Sequence, residues 1–147
     1  MGYKEYEVLT LGTELRKLLE KKSEPLMKKY GLRKIELDIL ADLSSGGCGD
    51  TAKEIIERKH ISKAHVSKSI DNLKTHGLIT ITEDCKDHRY MHILLSEKAK
   101  DVVEDFMEIH KECKNIVFRG ITQEEKTAIS KICQKMQENI QKELDNA

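Results

Sequence analysis

Apolar residues recur every three or four positions through most of this chain, and the pattern breaks to near-alternation in one stretch only. Val8, Leu11, Leu15, Leu18 and Leu19, with Lys and Glu between them, predict an amphipathic opening helix over residues 5–22. Pro25 lacks a backbone N–H donor and clashes with the preceding turn, so a bend is expected there and not a domain boundary. After Gly31, Ile35, Ile39, Leu40 and Leu43 predict a second helix, ended by the glycines of SSGGCG. Thr51-Ala52-Lys53-Glu54 has the form of a capping box and opens a third, short helix with Ala52, Ile55 and Ile56 facing inward. Almost without a linker, Ser62 is placed to cap a fourth helix, in which Val66, Ile70 and Leu73 repeat at i, i+4, i+7 and Gly77 is the stop. Two short helices joined by a tight turn make a helix-turn-helix.

The period then changes. LITIT (Leu78 to Thr82) and YMHILL (Tyr90 to Leu95) read as two strands around the polar EDCKDHR, which predicts a hairpin with a charged tip. From Ser96 helix returns, with Ala99, Val102, Val103, Phe106, His110, Cys113 and Val117 on one stripe. A second capping box, Thr122 to Glu125, opens a last helix carrying Ile129, Ile132, Cys133, Met136, Ile140 and Leu144 on one side. The fold class is thus mainly α with a small β-hairpin wing: a winged helix-turn-helix flanked by N- and C-terminal helices. The central lobe can fill its own core, so the flanking stripes must bury against each other or against a second chain.

Composition narrows the class further. A length of 147 residues fits one domain over 1–147, and no apolar run approaches the ~18 residues of a membrane span. The charged N-terminal stretch MGYKEYEVLTLGTELRKL does not resemble a signal peptide, so a cytoplasmic address without a membrane partner is expected. Lys plus Arg and Asp plus Glu balance at 26 each, so net charge does not point to nucleic acid, and distribution has to decide. Between Ser62 and His76 stand Lys63, Lys68 and Lys74 with His65 and His76, against Asp71 alone. That local excess suits a helix beside phosphates. Cys48, Cys85, Cys113 and Cys133 are scattered without a CxxC pair, which favours reduced thiols.

A helix that reads a major groove needs short or polar side chains near its N-terminus and an apolar opposite face. The fourth helix divides in this way: Ser62, Lys63, Ala64, His65, Ser67 and Lys68 face outward, while Val66, Ile70 and Leu73 face inward. At the hairpin tip, Lys86, Asp87, His88 and Arg89 lie where a minor groove would run. An arginine there is drawn to the concentrated negative potential. Asp87 is spaced to hold Arg89 through a bidentate pair and fix its direction.

TAKEII, ISKAHVSKSIDNLKTHGLI and DHRYMHILLSEKAK together resemble the MarR family of transcriptional regulators, with YGLRKIELDIL similar to the family's second-helix entry. The resemblance covers nearly the whole chain. It implies a winged helix-turn-helix lobe over about 33–95 and dimerisation helices over about 1–30 and 97–147, with Leu11, Leu15, Leu18, Ile132, Met136, Ile140 and Leu144 in the dimer interface. It also implies a homodimeric repressor on a pseudo-palindromic double-stranded DNA operator, and a small-molecule effector pocket between lobe and dimerisation helices. The chain departs from the pattern in two places: Thr80, Ile81 and Thr82 stand where an arginine often follows, and Ala99 replaces a frequent glycine.

Other chemistries have thinner support. Cys85, His88 and His92 have a zinc-like spacing, but they fall on a wing tip and a strand, where side chains converge poorly. His110 and Cys113 lie three apart on one helical face and could offer two zinc ligands, though a packed interface explains them as well. For redox sensing, Cys113 and Cys133 are expected in the core, and Cys85 exposed beside Lys86. No glycine-rich phosphate loop, HExxH or nucleophile elbow occurs, so neither an enzyme nor a cofactor is expected. The rival from another class is a winged-helix protein–protein adaptor, which would lack the steep salt dependence of duplex binding.

Overall fold

The computed structural model describes residues 10–45, 51–59 and 61–146. Val8, Cys48 and the glycine stop after the second helix lie outside them. The chain forms α1 (Leu11–Tyr30), α2 (Lys34–Ser44), α3 (Ala52–Lys59), α4 (Lys63–Thr75), β1 (Ile79–Glu83), β2 (Met91–Leu95), α5 (Glu97–Val117) and α6 (Gln123–Asp145). This is the winged helix-turn-helix expected from the pattern. It divides into two compact units, residues 1–113 and 114–147.

In the first unit, α1 continues through Pro25, so the proline marks no boundary. Gly31 closes the helix in the left-handed conformation, φ 66°, which glycine adopts without a Cβ clash. The core is aliphatic but for Phe106. Leu37, Ile39 and Leu40 of α2, Ile55 of α3, Val66 and Leu73 of α4, Ile79 and Ile93 of the hairpin and Val102 and Phe106 of α5 are all buried in one cluster.

The hairpin is antiparallel, pairing Ile79 with Leu95, Ile81 with Ile93 and Glu83 with Met91. That register turns Ile79, Ile81, Ile93 and Leu95 to the core, while Thr80 and Thr82 remain exposed. Its base is sewn to the end of α4: the Ser96 N–H donates to the Leu78 carbonyl at 3.0 Å and Ser96 Oγ to the Gly77 carbonyl at 2.7 Å. On the other side of the core, α1 is tied to α5 by Tyr30, whose hydroxyl donates to Asp105 at 2.8 Å, and by Lys22, whose ammonium meets Glu112 at 3.1 Å.

The second unit holds the end of α5 and all of α6. Thr122 Oγ1 accepts from the Glu125 N–H at 3.1 Å while the Glu125 carboxylate accepts from the Thr122 N–H at 3.0 Å, the reciprocal capping box expected there. No residue of α6 is buried. Cys133, expected in the core, is therefore exposed. One helix and the end of another have too little apolar surface to enclose a side chain.

Candidate nucleic-acid interface

The candidate surface is built from α4 outward. Ser62, in extended conformation, accepts the His65 N–H at 3.2 Å and so starts the helix where expected. Val66, Ile70 and Leu73 are buried, whereas Ser62, Lys63, Ala64, His65, Ser67 and Lys68 are all exposed. The buried triad seats the helix, and the six polar or small residues of its first two turns face solvent. Gly77, at φ 71°, lets the chain leave α4 and enter β1 directly.

At the wing tip, Asp84 nucleates the turn. One of its oxygens accepts the backbone N–H groups of Lys86 at 3.0 Å and Asp87 at 2.9 Å. The other lies 2.7 Å from His92 Nε2 on β2. The His92 contact first, and then the two backbone donors, hold the Asp84 carboxyl below the ordinary carboxylate range.

Within this turn Arg89 Nε donates to Asp87 Oδ1 at 3.0 Å and Nη2 to Oδ2 at 2.9 Å, so the two form a bidentate fork. The arginine's side-chain donors, more than its backbone N–H, pull the Asp87 carboxyl down. The Arg89 side chain stays 86% exposed, a fixed cation with its face toward solvent. His88, 3.1 Å from Glu83, and Lys86 complete a polar tip.

The zinc-spaced residues are not gathered. His88 and His92 pair with different acids, and Cys85 is exposed. His110 stands edge-on to Phe106, ring centroids 4.6 Å apart, and Cys113 is buried, with its thiol pushed up by desolvation. Among the described residues no three His, Cys, Asp or Glu converge as a metal site, and no helix is long and apolar enough to cross a membrane. The stripe residues of the flanking helices are open in the single chain: Leu11, Leu15, Ile132, Ile140 and Leu144 are exposed, Leu18 and Met136 half-buried.

Sequence reasoning missed two parts of this surface. One is the Asp84–His92 contact that braces the wing. The other is a polar group under α4 in which Glu36 and Ser69 are buried and Arg33 and Asn72 half-buried. An acid followed by a histidine eight residues later across a hairpin is a usable signal once the register is known. A glutamate inside an apolar run, as in RKIELDIL, is a signal for the second.

A three-helix lobe with a capped, polar-faced α4 followed by a two-stranded wing defines the winged-helix transcriptional regulators of MarR type. The chain belongs to the SarA/Rot family of transcriptional regulators, whose family model matches residues 21–106, more than half of the sequence. Solved structures of the same fold include a MarR protein from Peptoclostridium difficile, 22% identical over 97% of this chain and 93% of that one, with a TM-score of 0.81. The organohalide-sensing RdhR transcriptional regulator, in its 2,4-dichlorophenol-bound form, is 26% identical over 95% of this chain and 86% of its own, with a TM-score of 0.68. A Listeria monocytogenes protein assigned to the MarR family and complexed with a 26mer DNA is 17% identical, covers 95% and 90% of the two chains, and has a TM-score of 0.77. These are regulators and not enzymes.

Proposed function

We propose that the chain acts as a homodimeric, sequence-specific repressor on a pseudo-palindromic duplex, with α4 of each protomer in a major groove and each wing in the flanking minor groove. Lys63, His65, Ser67 and Lys68 meet base edges and phosphates, with Ser62 and Ala64 at the entry. Arg89 enters the minor groove as oriented by Asp87, with Lys86 and His88 beside it. The observation that carries this reading is the juxtaposition of an exposed polar face on a firmly seated α4 with a pre-aimed arginine on the wing. The Listeria relative supports it, since a protein of this fold is complexed with a 26mer DNA.

Dimerisation assigns a role to the open stripes: Leu11, Leu15 and Leu18 on α1 and Ile132, Met136, Ile140 and Leu144 on α6 bury against a second copy. Residues of about 33–95 form the DNA-binding lobe and the helices on either side the dimerisation region. An effector would act by favouring one spacing of the two α4 helices, to the extent that it binds the two states differently. A cleft of about 380 Å³ between α1 and α2, lined by Leu15, Leu19, Arg16 and Lys34, is of a size that takes a small aromatic ligand. The dichlorophenol-bound relative makes that ligand class worth testing first.

Selection of bound duplexes from a random pool tests the whole reading. The expected product is a palindrome with half-sites about one helical turn apart. A pool that yields no symmetric sequence, or a chain that ignores duplex in low salt, refutes it.

A further inference from the structure

Glu36 lies in the first turn of α2 at 0% exposure, among Leu37, Ile39 and Leu40. A carboxylate taken out of water is costly unless donors occupy its oxygens. Here they are occupied. Oε1 accepts the Arg33 backbone N–H at 2.8 Å and lies 3.4 Å from Arg33 Nε, and Oε2 accepts Asn72 Nδ2 at 2.6 Å. Arg33 reaches further, its Nη2 donating to Oγ of the fully buried Ser69 at 3.1 Å. One acid and its neighbouring arginine therefore grip α4 at two points three residues apart.

Those points adjoin the reading face. Ser69 follows His65 by one turn and Asn72 follows Lys68 by one turn, the i, i+4 spacing that places residues side by side on a helix. The apolar contacts of Val66, Ile70 and Leu73 hold α4 down, but they are non-directional and tolerate a small roll about its axis. Hydrogen bonds are directional and do not. With side chains reaching ~5–6 Å from the helix axis, a roll of about 20° moves the outward atoms by about 2 Å. Specific recognition requires placement within ~0.5 Å.

We propose that Glu36, through Asn72 and through Arg33 to Ser69, is the positioning residue that sets the rotation of α4 and so decides which base edges His65 and Lys68 meet. This rests on α4 being the reading helix. It makes Glu36 a determinant of sequence selectivity, although it touches no DNA.

The test compares the duplex recovered by selection with an unrelated duplex of equal length, by fluorescence anisotropy on the full chain across a salt series. Asn72→Asp keeps the shape and sets a carboxylate against that of Glu36 with no donor between them. The ratio of affinities for the selected and the unrelated duplex should fall about tenfold or more, the size of one lost base contact, with the salt slope unchanged. Adding Glu36→Gln to Asn72→Asp supplies an amide donor across the same contact, restores the parental net charge and should return most of the selectivity. Ser69→Ala releases only the arginine arm and should give an intermediate loss, which keeps the proposal testable if Asn72→Asp fails to fold. A selected-to-unrelated ratio unchanged in both single variants, an equal loss on both duplexes, or no recovery in the double variant overturns the proposal alone. An unaltered chain that prefers no duplex overturns the α4 reading itself and the clasp with it.

Discussion

Replacing Asp87 by alanine separates two accounts of the wing by the sign of the result. Were Asp87 only a surface acid beside a polyanion, removing its negative charge would tighten DNA binding. The fork points the other way. Asp87 accepts Arg89 Nε and Nη2 at 3.0 and 2.9 Å and the Arg89 backbone N–H at 3.0 Å, so the arginine is aimed before DNA arrives. Immobilising a long side chain upon binding lowers affinity by about two- to tenfold. The proposed symmetric dimer carries two wings, so Asp87→Ala should weaken binding by about 4- to 100-fold without changing the number of cations that meet phosphate. Arg89→Ala should weaken binding across many sequences and also flatten the plot of log affinity against log salt by about 1.8, ~0.9 for each of two lost cations. Anisotropy titrations from low to moderate salt measure both quantities. An Asp87→Ala dimer that binds more tightly than the parent, or an Arg89→Ala dimer with the parental slope, refutes the reasoning.

Because the Asp84 carboxyl is held below its ordinary value of 3.8, its contribution to wing order is present at neutral pH and fades as pH falls through that lowered value. The amide resonances of Lys86 and Asp87 should shift together in acid with a midpoint below 3.8, and a midpoint at or above it contradicts the Asp84 clasp. Leu73→Ala empties a site with 0% exposure beneath α4 and should cost about 2–5 kcal/mol. Thermal unfolding followed by circular dichroism should move down by roughly 5–20 °C. Ile140→Glu puts a charge on an exposed α6 stripe, so light scattering should find monomers in place of the proposed dimer, with the helix content of each chain retained. Replacing His65 should shift preference at one base step by ~1–3 kcal/mol in a second round of duplex selection, leaving other positions as they were.

The elements were legible because local signals agreed with the core that they had to build. In α4 the hydroxyl cap, the i, i+4, i+7 apolar triad and the terminal glycine all pointed to one helix, and each is met in the structure. The hairpin was legible for the same reason, since the alternation in LITIT matches the face that Ile79 and Ile81 turn inward. The Cys133 expectation failed on a different ground. Periodicity shows that a helix has an apolar side, but not what covers that side. Val103 and Cys133 sit on equally regular stripes, yet one is buried and the other exposed in the single chain.

The same distinction explains which parts of the site could be read in advance. Asp87 and Arg89 are two residues apart, so their fork is a local geometry that the spacing already contains. Glu36 and Asn72 are 36 residues apart, and their 2.6 Å contact exists only because α2 and α4 cross in the folded lobe. A sequence shows the acid, placed where an apolar residue would serve stability better, but not the amide that makes it tolerable. Long-range polar contacts of this kind cost more to form than apolar packing and fix orientation more tightly. On the proposed function, in which two reading helices meet base edges in register, orientation is the quantity that matters. The least legible group is therefore the one on which α4's aim depends most, while the face that α4 presents was readable from residues 62–68 alone.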